Sequence, residues 1–362
     1  MKHILTLDGG GIRGVFSLEI LLQMETLLRK HYNKPKLVLA DHFEFFAGTS
    51  TGAIIAAGLS WGMTVQEILE LYVKHGTTIF QHVPWYHPIR RYLVSRYEAK
   101  PLSEMLRRIF SEDGNGEVPA LLGSKRLRTM LLVILRNHTT GSAWPVTNNP
   151  RAMFNDPALP DCNLNIPLWK LVRASAAAPT YFDPEEIMLG GRQHVFVDGA
   201  ITPYNNPALI AALTAVLPCY RLGWDAGPDK IRLISIGTLN FSAAEGDKKA
   251  RTMWVGYNIP RIVAALMRGS GFEQDYLCRC LGECIHGEAL DSEIGSLEGA
   301  PLCGRSWFSY ARYDRSFNAQ ESQELLRKHP DLAGIDAVSA VPALREIGHA
   351  YADEHVRIEH LV

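Results

Sequence analysis

The chain has 362 residues, of which 47% are hydrophobic and 21% charged, and its formal net charge is -1. That length accommodates one large α/β domain with additions, or two domains, around a real core. A charge so near zero excludes binding through bulk positive charge, so no nucleic-acid partner is expected.

In chain order, short apolar runs alternate with helical patterns. Strands are expected at His3 to Leu7, Phe43 to Ala47, Thr129 to Leu135, His194 to Val197 and Ile231 to Ile236. Helices are expected around Val15 to Lys30, Gly52 to Leu59, Val65 to His75, Leu102 to Phe110, Leu168 to Ala177 and Pro207 to Val216. Thr64 and Glu67 form a capping box at the start of the third helix. The alternation predicts an α/β fold, a mostly parallel sheet covered by helices. Beyond about Phe241 the pattern reads as helical. The chain therefore divides into a core over residues 1–240 and a C-terminal region, 241–362, packed on or beside it.

The N-terminus opens on a strand with no secretory signal, and no apolar stretch is long enough to span a bilayer. A cytoplasmic protein touching membranes only peripherally is expected. The six cysteines in so long a chain do not form a disulfide framework. Cys278, Cys280, Cys284 and Cys303, with His286 nearby, match no zinc spacing, so free thiols and no metal are expected.

Asp8-Gly9-Gly10-Gly11-Ile12-Arg13-Gly14 follows the first strand and opens a helix. Glycines let successive N–H groups converge on one point, and the helix N-terminus adds positive partial charge, so the loop suits an anion. Gly9, Gly11 and Gly14 fit a dinucleotide fingerprint, with Asp41 as the acidic partner. An oxyanion hole fits equally well, and so does a turn that binds nothing.

Gly48-Thr49-Ser50-Thr51-Gly52 matches a nucleophile elbow in its required setting, between a strand and a helix. The same pattern recurs at Gly58-Leu59-Ser60-Trp61-Gly62 with no strand before it. Ser60 therefore reads as a helix end, with Gly62 as its left-handed stop. His194 to Ala200 forms a strand ending in Asp198-Gly199, which places a carboxylate at the sheet edge where α/β sites gather. A turn aspartate is the competing reading. No histidine has a triad context, which points to a two-residue unit.

These blocks, in this order, resemble the patatin-like phospholipase family. Its D-G-G-G-x-R-G loop, G-x-S-x-G elbow and D-G-A/G block align with Asp8 to Gly14, Gly48 to Gly52 and Asp198 to Ala200. Ala174 to Phe182, Asn205-Asn206-Pro207 and Ile234 to Thr238 add to the likeness. The resemblance implies a three-layer α/β/α fold, Ser50 as nucleophile and Asp198 as base. It further implies an oxyanion hole from the Gly9, Gly10 and Gly11 amides, with Arg13 supporting the loop, and no cofactor. The implied substrates are membrane phospholipids. In that arrangement Ala40-Asp41-His42 leads into the elbow strand, so Asp41 is not a ribose ligand.

Compact size and a long tail resemble bacterial members of the family, some of which are anti-phage effectors switched on by a cyclic dinucleotide. An activator site would draw on Lys248, Lys249, Arg251, Trp254, Tyr257, Arg261, Arg268, Trp307, Tyr310, Arg312, Tyr313 and Arg315. A solvated helical cap is the plainer reading of these residues. The aromatic stretch Ile79 to Ile89 fits either an interfacial loop or an internal one. The effector reading places the enzyme at the inner face of the cell membrane. A homodimer is left open. The competing functions are an acyl hydrolase without nucleotide control, a dinucleotide-binding oxidoreductase and a lipid-binding module.

Overall fold

In the computed structural model the described residues are 1–79, 97–241 and 255–362, with backbone alone at 77–79 and 255–264. The principal elements are β1 (Lys2–Leu7), α1 (Gly14–His31), β2 (Phe45–Thr49), α2 (Thr51–Ser60), α3 (Val65–Ile79), α4 (Ala99–Ile109), β3 (Met130–Asn137), β4 (Ser142–Thr147), α5 (Leu168–Ser175), β5 (Glu185–Leu189), β6 (Arg192–Asp198), α6 (Ala208–Val216), β7 (Ile231–Ile236), β8 (Asn240–Phe241), α7 (Val255–Leu281), β9 (Glu283–His286), β10 (Ser309–Tyr313), β11 (Ser316–Phe317), α8 (Ala319–Lys328) and α9 (Val341–His355).

Nine strands form one sheet in the order β5-β6-β3-β2-β1-β7-β10-β9, with β4 also on β3. The centre is parallel, from β3 through β2, β1, β7 and β10 to β9. Parallel strands covered on both faces should be apolar on both, and these are apart from a buried polar row, Thr6, Ser235 and Arg312. Leu5, Leu7, Phe46, Val133, Ile234 and Ile236 enter the core on the side of α1, α2 and α9. Ile4, Phe45, Ala47, Ile134 and Leu233 enter the core on the α6 side, with Cys278 of α7. The result is the expected three-layer α/β/α arrangement.

The C-terminal region departs from the helical expectation at β9, β10 and the short β11, which pairs with β8. β9 and β10 extend the core sheet beyond β7. A buried polar residue, Arg312, interrupts the apolar pattern of β10 and hides it from a reading based on hydrophobic runs. α9 packs along α1, so the region is joined to both faces of the fold.

The flank of β3 decides where the site forms. β4 runs antiparallel along Leu132 to Asn137 and occupies one side of β3 there. β2 pairs with β3 up to Thr49–Ile134. β6 pairs with Leu135 to Asn137 from the opposite direction, ending at Asp198–Leu135. Both overlap β4, so both must lie on its other side. β2 and β6 therefore meet end to end beside adjacent residues of β3.

Candidate active site

Ser50 follows β2 at the elbow with φ 55° and ψ -122°, in the positive-φ region that side chains rarely adopt. The flanking glycines make this turn possible. A Cβ on Gly48 would sit 2.1 Å from the Gly52 carbonyl oxygen, and one on Gly52 would sit 2.2 Å from that of Leu7. The Ser50 N–H donates to Ser175 Oγ at 2.9 Å, and Ser175 Oγ donates to the Ile134 carbonyl at 2.6 Å.

Asp198 ends β6. Its N–H donates to the Ala177 carbonyl at 3.0 Å. The α5 terminus thus holds both partners, through Ser175 on one and Ala177 on the other. Asp198 Oδ1 accepts the Ala200 N–H at 2.7 Å, and Oδ2 accepts the Ser50 hydroxyl at 2.7 Å. Burial raises the Asp198 carboxyl from 3.8 to about 7, against the lowering effect of the Ala200 and Ser50 hydrogen bonds. A carboxylate with that value near neutral pH is suited to take a proton and return it. Both groups are buried, Ser50 at 8% exposure and Asp198 at 2%.

The glycine loop lies against this pair. A Cβ on Gly9 would sit 3.2 Å from Ser50 Cβ and 2.4 Å from Asn205 Oδ1. The loop's N–H groups divide into two sets. Gly9 N–H donates to the Asn205 carbonyl at 3.1 Å and Ile12 N–H to that of Ile335 at 2.8 Å. The expected oxyanion role of Gly9 is corrected here, because its only N–H is already committed. Gly10 and Gly11 N–H have no acceptor among the described residues. Gly11 has φ +60°, and a Cβ there would meet the Ile335 carbonyl oxygen at 2.1 Å.

Arg13 is fastened to the segment just before Ile335, whose carbonyl accepts the loop's Ile12 N–H. Its Nη2 donates to the Leu332 and Ala333 carbonyls, each at 3.1 Å, and its guanidinium lies 4.9 Å from the Phe241 ring centroid. Burial lowers its pKa to about 10.

The decoy separates cleanly. Ser60 ends α2, exchanges hydroxyl contacts with Thr129, and is followed by Gly62 at φ +88°. Asp41 accepts the Val38 N–H at 3.0 Å and pairs with Arg128, far from the glycine loop in its bonding. Of the tail residues named for an activator, Tyr310, Arg312 and Tyr313 are corrected: all three are buried and already bonded, to Asp275, to Asp8 and Asp314, and to His360. Arg315 pairs with Glu288 and Glu321. Arg268 and Trp307 are exposed. Lys248, Lys249, Arg251 and Trp254, the side chains of Tyr257 and Arg261, and, of the Ile79 to Ile89 stretch, the Ile79 side chain and all of 80–89 lie outside the described residues. The six cysteines are unpaired.

Sequence reasoning named Ser175, Asn205 and Arg312 but missed what each does: bracing the elbow, holding the Gly9 N–H and clamping Asp8. Ser175 sits inside a quoted motif, yet nothing local marks its hydroxyl as an elbow brace. Arg312 lies 304 residues from the Asp8 it binds.

A sequence profile of the patatin-like phospholipase family matches residues 5–212, more than half of the chain, and the chain belongs to that family. It is 27% identical over 246 residues to a cGAMP-activated phospholipase of Vibrio cholerae, covering 66% of this chain and 64% of that protein. It is 28% identical over 256 residues to patatin-17 of Solanum cardiophyllum, covering 66% and 60%. It is 27% identical over 267 residues to a cGAMP-activated phospholipase of Escherichia coli, covering 70% and 67%. The matches to the first two relatives thus span less than two thirds of those proteins' lengths.

Proposed function

We propose that this chain hydrolyses fatty acyl esters of membrane phospholipids through an acyl-enzyme on Ser50, with Asp198 as its base. The observation that carries the reading is the 2.7 Å contact between Ser50 Oγ and Asp198 Oδ2 at a strained elbow. Ser50 Oγ attacks the acyl carbonyl carbon while its proton passes to Asp198 Oδ2. The carbonyl oxygen becomes an anion, received by the uncommitted N–H groups of Gly10 and Gly11. The ester C–O bond then breaks, and the Asp198 proton leaves with the lysophospholipid oxygen. Water enters along the same route in reverse: it gives a proton to Asp198, attacks the acyl carbon and releases the fatty acid, and Ser50 regains its proton.

Regulation by a cyclic dinucleotide such as cyclic GMP-AMP, in anti-phage defence at the cytoplasmic membrane face, is the finer part of the proposal. It is supported by two similar proteins that are named cGAMP-activated phospholipases. Similarity to a plant patatin favours the second reading, a lipid acyl hydrolase without nucleotide control. No helix among the described residues is long and apolar enough to cross a membrane, which agrees with peripheral contact.

The test is fatty acid release from phospholipid vesicles by wild type, Ser50→Ala, Asp198→Ala and Ser60→Ala, each with and without a panel of cyclic dinucleotides. Turnover lost in the first two variants and kept in Ser60→Ala supports the hydrolase. A sharp rise with one nucleotide supports the effector. Equal rates across the panel favour the second reading.

A further inference from the structure

Thr6, Ser235 and Arg312 stand in one row across β1, β7 and β10, since Thr6 pairs with Ser235 and Ser235 with Arg312. Side chains two residues apart on a strand share a face. Asp8, two beyond Thr6, and Asp314, two beyond Arg312, therefore converge on the α6 side of the sheet's C-terminal edge. Arg312 Nη1 and Nη2 donate to the two Asp8 oxygens at 3.0 and 2.7 Å. Nη1 also reaches Ser235 Oγ at 2.7 Å, and Nη2 reaches Asp314 Oδ2 at 2.8 Å. Arg312 is 5% exposed, Asp8 6% and Asp314 8%.

Asp8 is the residue immediately before the three glycines. Its own N–H is held by the Ile236 carbonyl at 3.0 Å. The strand beside it is tied to the same cluster. Asp314 Oδ1 accepts the Leu239 N–H at 3.1 Å and Oδ2 accepts from Asn240 Nδ2 at 2.6 Å. Thr238 Oγ1 then donates to the Gly9 carbonyl at 3.0 Å. The start of the loop is thus gripped from two directions, and both grips lead back to one guanidinium. A planar fork that binds a carboxylate through two bonds fixes its orientation as well as its position.

An ion cluster this dry gives weak grounds for a purely stabilising role. Burying charges carries a desolvation cost for each ion, and apolar residues of similar volume often fill such a place with equal stability. What two aimed bonds provide, and apolar packing does not, is a fixed direction for the loop they hold.

We propose that Arg312 is a positioning residue for acyl transfer, holding Asp8 so that the Gly10 and Gly11 N–H groups stay aimed at the reacting carbonyl oxygen. The proposal rests on the acyl-hydrolase reading above. It makes the C-terminal region, beyond the family match at residues 5–212, part of the catalytic apparatus.

The experiment compares the full-length wild type with Ser50→Ala, Arg312→Met, Arg312→Lys and Asp8→Asn on p-nitrophenyl butyrate. Reactive serine is counted in each preparation by saturating fluorophosphonate labelling, so that kcat is expressed per competent site. Complete loss of an oxyanion donor costs about 10²–10³ in rate, and mis-aiming should cost part of that. Arg312→Met and Asp8→Asn should lose at least tenfold in kcat per labelled serine, with KM changed less than threefold. Arg312→Lys should recover part of the loss. If Arg312→Met does not fold, Asp8→Asn decides alone. Ser50-dependent hydrolysis with wild-type kcat in Asp8→Asn would overturn the clamp and leave the hydrolase standing. Hydrolysis by wild type and Ser50→Ala at equal rates would overturn the hydrolase itself.

Discussion

Ser50 Oγ lies 2.7 Å from Asp198 Oδ2 although 148 residues separate them. The contact follows from two registers on one strand: Thr49 stops opposite Ile134 and Asp198 stops opposite Leu135. The hydroxyl and carboxylate then meet in a buried setting that raises the carboxyl to about 7.

That shift sets a pH dependence. Below about 7 the Asp198 carboxyl is protonated and cannot receive the Ser50 proton. We predict that kcat/KM rises with pH through a midpoint near 7 and levels off above it. A pH–rate profile on a soluble ester checks this. A midpoint in the ordinary carboxylate range would mean that Asp198 is not the titrating base.

The same shift predicts a stability effect of definite sign. The native carboxyl holds its proton up to about 7, whereas its ordinary value is 3.8, so between these values the native state binds more protons than the unfolded one. Its contribution is therefore fully present below 3.8 and is lost as pH rises through about 7. Asp198→Asn, which carries no charge to bury, should melt higher than wild type at pH 8 and close to wild type at pH 4. Thermal melts at the two pH values read this directly.

Ser175 should matter to rate beyond its effect on stability. Ser175→Ala removes the acceptor for the Ser50 N–H and leaves the Ile134 carbonyl without its hydroxyl donor. We expect a loss of about 1–3 kcal/mol in stability from the groups left unpaired. We also expect a fall of about tenfold in kcat as the elbow relaxes, since small misplacements of a nucleophile carry large rate costs. Chemical denaturation and steady-state kinetics on the same preparation separate the two.

Two glycines offer a contrast. Gly52→Ala would place a Cβ 2.2 Å from the Leu7 carbonyl oxygen, whereas a Cβ on Gly269, in α7, would meet nothing within 4 Å among the described residues. Gly52→Ala should destabilise by more than about 2 kcal/mol, while Gly269→Ala should stabilise by about 0.5–1 kcal/mol through helix propensity. Urea midpoints of the two variants give the comparison.

Much of this was legible in the sequence where the signal is local. β1, β2 and β7 place apolar side chains in the cores on both faces and read as mostly apolar runs, broken by Thr6 in β1, by Gly48-Thr49 at the end of β2 and by Arg232 and Ser235 in β7. The elbow declares itself through glycines that the backbone contacts require. What stayed hidden depends on pairing at a distance. β5 begins Glu185-Glu186 and β4 carries Pro145, so neither shows a clean strand pattern. β10 holds a buried arginine whose partner, Asp8, follows β1, and no local pattern announces that an arginine will be dry. The commitment of Gly9 N–H to Asn205 is likewise a fact of three dimensions, which the motif alone presents as three equivalent amides.

The most direct measurement is the site and rate of covalent labelling by a fluorophosphonate, read by peptide mass spectrometry in wild type, Asp198→Ala and Ser60→Ala. The label should fall on Ser50, at an unchanged rate in Ser60→Ala and at least about a hundredfold more slowly in Asp198→Ala, in line with the usual contribution of a positioned base. Labelling of another serine, or of Ser50 at the wild-type rate without Asp198, would contradict the account.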